Sequence, residues 1–246
     1  MRKRKLNSHR FMILIGCIVI LSGILLAAVL TIHKKSKENS VVTATAETTY
    51  TNSFTSKYVV CLDAGHGGDD VGAEYESRYE KEDTLDLTLL IGNYLNQYND
   101  IIVVYTRQND YSNPSVSKRV QYANSYNADV LVSLHRNYYE GYEDVQGIEA
   151  WIHSDDNEEE HLLADMLLEN MMSAVSQTVN RGVKLGTIDG EGEYAVNNQS
   201  NMPSCLLEVG FMTSDIDNYL YDTYLEDYAQ AIADGIYEFC HTQSNT

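Results

Sequence analysis

The chain has 246 residues, with 17 Lys or Arg against 36 Asp or Glu and a formal net charge of −19. That balance argues against nucleic acid as a partner and against a surface lying flat on anionic lipid. The length suits one α/β domain plus an appendage.

The first 37 residues are unlike the rest. Arg2, Lys3, Arg4, Lys5 and Arg10 precede an uncharged run from Phe11 to Ile32, and Lys34, Lys35 and Lys37 follow it. As a helix rising about 1.5 Å per residue, this run covers roughly 33 Å, against a hydrocarbon core of roughly 30 Å. The sequence therefore predicts a cytoplasmic tail over 1–10 and a transmembrane signal-anchor helix over 11–32. The membrane would be a partner, and the rest of the chain would lie on the extracytoplasmic side of the cell membrane. A cleaved signal peptide is the rival reading, but such apolar regions usually span about 7–15 residues. Residues 33–56 read as a Ser/Thr-rich stalk, and 57–242 as one compact domain. Cys61, Cys205 and Cys240 show no paired spacing and read as structural.

Within that domain strand and helix signals alternate. Strands are predicted at Tyr58–Leu62, Ile101–Thr106, Val130–Leu134, Gly147–Ile152, Val183–Ile188 and Ser204–Val209. A helix with a broad apolar face falls between about Glu82 and Gln97, and another at Ser115–Tyr126 with Ser115 as N-cap. Leu163, Leu167, Met171, Ala174 and Thr178 share one face of a third helix, which starts in an acidic first turn. Two more helices are predicted from Ser214 to His241. The fold class is α/β: a twisted, mostly parallel or mixed sheet of about six strands with helices on both faces, preceded by the membrane helix.

Three apolar strands end in chemistry. VVCLDAGHGG delivers His66, ADVLVSLHRN delivers His135, and PSCLLEVGF carries Glu208 between apolar neighbours. A carboxylate in an apolar setting is costly unless paired or metal-bound. Two imidazoles, a carboxylate and an open position form the usual catalytic zinc set. Either Glu208 completes that set, or a carboxylate from Glu80, Glu82 or Asp83 does.

These stretches, with DVGA, YEK, YTR and GIEAW between them, resemble the zinc-dependent N-acetylmuramoyl-L-alanine amidases of the cell wall. The resemblance runs from about Lys57 to Tyr237. It implies Zn2+ bound by His66, Glu80 and His135, with Glu208 as the catalytic base and acid. Glu82 is the alternative to Glu80, but in that register Asn96 and Gln97 would fall on apolar helix positions. The implied reaction is hydrolysis of the amide between the lactyl group of N-acetylmuramic acid and L-alanine of the peptidoglycan stem peptide, with metal-bound water as nucleophile. A non-catalytic wall-binding homologue and a zinc peptidase of related fold are the competing readings, and a protein activator is left open.

Other polar residues read as supporting. Asp63 is expected to accept a hydrogen bond from a turn or a ligand histidine, and Asp70 to organise the glycine loop. Ser133, Asn137, Arg107, Arg119 and Asn124 are expected to brace loops and joints. Arg136 stands where the family has a small residue, and either points away or meets an acidic stem peptide. His153, His161 and His241 are expected to be solvated. The polar stretch Asp189–Asn201 is expected to line the substrate cleft.

Overall fold

A computed structural model describes residues 58–141 and 145–242. All of them belong to one unit of the chain, Phe54–Thr246. In chain order the elements are β1 (Tyr58–Ala64), β2 (Glu74–Tyr75), β3 (Arg78–Tyr79), α1 (Glu80–Leu95), β4 (Ile101–Tyr105), α2 (Val116–Ser125) and β5 (Val130–Asn137). There follow β6 (Ile148–Ile152), α3 (Glu158–Ala174), β7 (Asn180–Leu185), α4 (Ala195–Asn198), β8 (Ser204–Phe211) and α5 (Asp215–Thr242).

One six-stranded mixed sheet runs in the order β4-β1-β5-β8-β6-β7. β4, β1, β5 and β8 are mutually parallel, and β6 pairs antiparallel to β8. Its strands are apolar because both faces are covered. Val60, Leu62, Val132, Leu134, Ala150 and Leu207 face α1, α3 and α5 in the larger core. Cys61, Leu131, Trp151 and Leu206 face α2 and α4 in the smaller one. Leu87, Ile91 and Leu95 give α1 its buried stripe at four-residue spacing. The three described cysteines are free and buried.

Several boundaries differ from the sequence reading, each for a local reason. α1 begins at Glu80, two residues early, because the unanticipated β2–β3 hairpin runs directly into it. Ser115 does occupy the N-cap of α2, yet its side chain makes no capping bond. α3 does open on an acidic first turn, Glu158, Glu159 and Glu160, and Asn157 caps it, accepting from the amides of Glu159 and Glu160. Thr178 lies beyond α3, where its hydroxyl meets that of Tyr228. The last two helices are joined in α5 across a kink at Tyr224 (φ −119°, ψ 24°).

The membrane reading is corrected. Among the described residues no helix is long and apolar enough to cross a membrane. The predicted tail, anchor and stalk over 1–56 lie outside the described residues. The transmembrane helix, the membrane as partner and the cell-membrane location are therefore not retained.

Leu167 is fully buried in α3 and would touch any side chain added at Gly235 of α5. Leu167→Ala is expected to cost about 2–5 kcal/mol by leaving a cavity between these helices. Denaturant unfolding of the two proteins checks this.

Candidate metal centre

The chemistry gathers at the C-terminal edge of the parallel strands, where open α/β sheets bind ligands. β1 ends at Ala64, opposite Leu134 of β5, and His66 follows it past the sheet edge. His66 takes φ 60°, Gly67 φ 127° and Gly68 φ 57°, so the turn is left-handed from the histidine itself onwards. A non-glycine residue there carries strain of about 1–3 kcal/mol that its surroundings must hold. Here three backbone carbonyls are gripped by side chains. Ala64 O accepts from Arg107 Nε (3.0 Å) and Arg119 (2.5 Å), and His66 O accepts from Arg119 (2.6 Å). Gly65 O accepts from Thr84 and Arg107, both at 2.8 Å.

Next along the sheet, His135 on β5 pairs in register with Glu208 on β8. Glu80 opens α1 and reaches between the two histidines. Its Oε2 lies 3.0 Å from His66 Nε2, and its Oε1 2.9 Å from His135 Nδ1. The same two oxygens accept from the amides of Ala73 (2.9 Å) and Arg136 (3.1 Å). Close approach is essential here. A Cβ at Gly72 (φ 70°) would lie 2.6 Å from Glu80 Oε2 and 2.7 Å from the His66 ring, so only glycine fits.

Burial by itself would raise the Glu80 carboxyl, which is 4% exposed, but the two imidazoles outweigh it and hold the group well below the usual carboxylate range. Burial would lower His66, whereas its contacts with Glu80 and Asp70 raise it. The ligand atoms of His66, Glu80 and His135 all lie within 4.8 Å of one another. Two imidazole nitrogens and a carboxylate oxygen at this separation fit Zn2+.

Glu208 sits across the same cleft, of about 530 Å³. Its Oε2 is enclosed and has no hydrogen-bond partner. Burial, then the charges of Glu80 and Glu149, push its carboxyl well above the ordinary range. Glu149 lies opposite Glu208 on β6. Its oxygens accept from Asn137 (2.8 Å), Trp151 (3.1 Å) and Arg181 (2.7 Å).

The supporting residues fall out differently from the sequence reading in three places. Asp63 bonds no histidine: it accepts from Arg119 (2.8 Å), Ser133 (2.7 Å) and Thr106. Asp70 does order the glycine loop, through Gly72 N (3.1 Å), but it also holds His66 Nδ1 at 3.1 Å. Such a carboxylate fixes the imidazole so that Nε2 faces a metal. The His-x-x-x-Asp spacing in the loop was the available signal. Arg136 takes the first of its two expected courses: its guanidinium is buried and bonds Asp83 and Asn218, away from the cleft. His241 is not simply solvated, because it packs on the rings of Tyr58 and Tyr237 and bonds Asp100 at 2.9 Å. Glu82 is exposed and outside the cluster. Arg107 and Asn124 brace loops, Asn124 through Gln199 and Asn201. From the polar stretch, Tyr194, Ala195 and Val196 line the cleft, joined by Ile188 and Tyr138, which the sequence reading missed.

The fold and this donor set define a zinc-dependent amidase. A family model described as N-acetylmuramoyl-L-alanine amidase (Amidase_3) matches residues 60–238. The chain belongs to that family. It is 34% identical over 180 residues to the Bacillus subtilis protein YqiI, covering 72% of this chain and 82% of that one. The crystal structure of an N-acetylmuramoyl-L-alanine amidase from Clostridium difficile 630 superposes with a TM-score of 0.69 at 32% identity, covering 75% of this chain and 97% of that one. The amidase AmiC2 of Nostoc punctiforme gives a TM-score of 0.68 at 29% identity, covering 76% and 99%.

The Asp63–Arg119 pair, 2% and 3% exposed, underpins the histidine turn. Burial would raise the Asp63 carboxyl, but the Arg119 charge and three hydrogen bonds lower it overall. Its stabilisation is therefore complete above the unfolded value of about 3.9 and is lost as pH falls through the lower folded value. Asp63→Asn is expected to cost about 3–5 kcal/mol near neutrality, because Arg119 is left buried and unpaired. Unfolding at a series of pH values should show that penalty shrinking below about pH 4.

Proposed function

We propose that the protein hydrolyses the amide bond between the lactyl group of N-acetylmuramic acid and the L-alanine of the peptidoglycan stem peptide. The observation that carries this reading is the convergence of His66, Glu80 and His135 on one position, with Glu208 opening onto the same cleft. The names borne by the similar amidases supply the substrate class.

His66, Glu80 and His135 would hold the zinc ion. When bound, it supplies Lewis-acid polarisation of the scissile carbonyl and lowers the pKa of a bound water to about 7. The remaining work falls to the chain. Asp70 holds His66 Nδ1, and the amides of Ala73 and Arg136 hold Glu80, so the donors are oriented before a substrate arrives. Glu208 takes the proton of the attacking water and returns it to the leaving amine of L-alanine. A carboxyl raised by burial is suited to both halves of that cycle. Tyr138 and Ile188, 40% and 60% exposed at the rim, offer apolar surface to a sugar face and to the lactyl and alanyl methyl groups.

Glu208→Ala should retain zinc and lose hydrolysis by about 10²–10⁴-fold. Zinc content, and mass analysis of stem peptides released from peptidoglycan, check both halves. Undiminished release by the variant would remove Glu208 from this role. A chelator should abolish release by the unsubstituted protein, and added zinc should restore it.

A further inference from the structure

We propose that Arg136 is a positioning residue for the metal site, locking the first turn of α1, and with it Glu80, against the strand end that carries His135. The inference rests on the metal centre proposed above.

α1 starts with little help from its own cap. Tyr79 occupies the N-cap and makes no side-chain capping bond. The amides of Glu80 and Lys81 are held by the carbonyls of Ala73 (3.0 Å) and Val71 (3.1 Å) in the preceding loop, which fixes the backbone of the turn but none of its side chains. Yet Glu80, the first residue of that turn, must keep its carboxylate between two imidazoles from distant strands.

Arg136 acts on this turn at two points. Its amide donates to Glu80 Oε1 at 3.1 Å. Its guanidinium, on a side chain 1% exposed, reaches Asp83 Oδ2 at 2.6 Å, three residues further along the same turn. The rest of the guanidinium is anchored on β8, through Nε to Gly210 O at 3.4 Å, and on α5. It donates to Asn218 Oδ1 at 2.8 Å and lies 4.1 Å over the Tyr221 ring. The Tyr221 hydroxyl in turn donates to Asp83 O at 2.7 Å. From the other side Arg78 grips the same Asp83 oxygen at 2.6 Å and pairs with Asp222 of α5.

The first turn of α1 is thus clamped to α5 and to β5 by charge-assisted bonds, in addition to the loop carbonyls that hold its amides. A guanidinium this deep would be expensive unless paired, and its partner is the turn that presents Glu80. Side chains alternate across a strand. His135 therefore faces the cleft while Arg136 enters the helix layer, and one segment of β5 supplies both a donor and the brace for another.

The test is zinc affinity of the purified protein, by competition with a chelator, after circular dichroism has confirmed folding. Arg136→Met keeps the apolar stem and removes the fork, and should weaken zinc binding by about 10–100-fold. Asp83→Asn keeps the shape, removes the charge and should weaken it in the same direction, which preserves the test if Arg136→Met does not fold. Tyr98→Phe, which loses a 2.9 Å bond to Asp234 of α5 beyond the far end of α1, should leave zinc affinity unchanged. Folded Arg136 and Asp83 variants that bind zinc as tightly as the unsubstituted protein would overturn the inference. So would equal weakening by Tyr98→Phe, which would mark a general loosening of α1 on α5. An unsubstituted protein that takes up no zinc would overturn both the metal centre and this inference.

Discussion

The structure is built around one buried carboxylate. Glu80 is 4% exposed, and each of its oxygens is shared between an imidazole and a backbone amide. A carboxylate in such a place is tolerated only when every lone pair has a partner. Those partners come from the loop after β1, from that loop's return at Ala73 and from the end of β5. The fold must therefore bring three distant segments to within hydrogen-bond reach of one side chain.

The sheet achieves this by period and direction. β1, β5 and β8 run parallel, so their C-terminal ends open on one edge. Residues of one parity enter the large core, and those of the other parity face α2, α4 and the cleft. Leu134 and Arg136 belong to the first set; Ser133 and His135 to the second. Because a slip of one residue exchanges the faces, the apolar packing of β5 and β8 also decides which groups reach the cleft. β6 then runs back antiparallel and sets Glu149 beside Glu208. Two carboxylates opposed across strands repel, and Arg181 offsets Glu149 at 2.7 Å.

The histidine turn needs a different support. His66 adopts a left-handed conformation that its side chain does not favour. Arg107 and Arg119 answer by filling the carbonyls of residues 64 to 66, and Asp63 neutralises Arg119 from inside the sheet. The conserving principle is the same as at Glu80: strain or buried charge is kept only where neighbouring groups leave it no alternative.

By itself the sequence determined much of this. Apolar runs marked the strands, and four-residue spacing marked α1 and α3, because side-chain period follows directly from backbone geometry. The same runs ended in His66, His135 and Glu208, so three cleft residues were legible at the ends of their elements. The β2–β3 hairpin was not, since two-residue strands carry no periodicity. Nor were the partners of Asp63, Asp70 and Arg136, whose side chains could satisfy charge in several directions. The register of apolar positions on α1 favours Glu80 over Glu82, and Glu80 does enter the cluster, but the hairpin that starts α1 at that residue is not foreseen by it. Tertiary structure decided these matters because hydrogen-bond partners are chosen by distance in space, and sequence spacing records that distance only within a single helix, strand or turn.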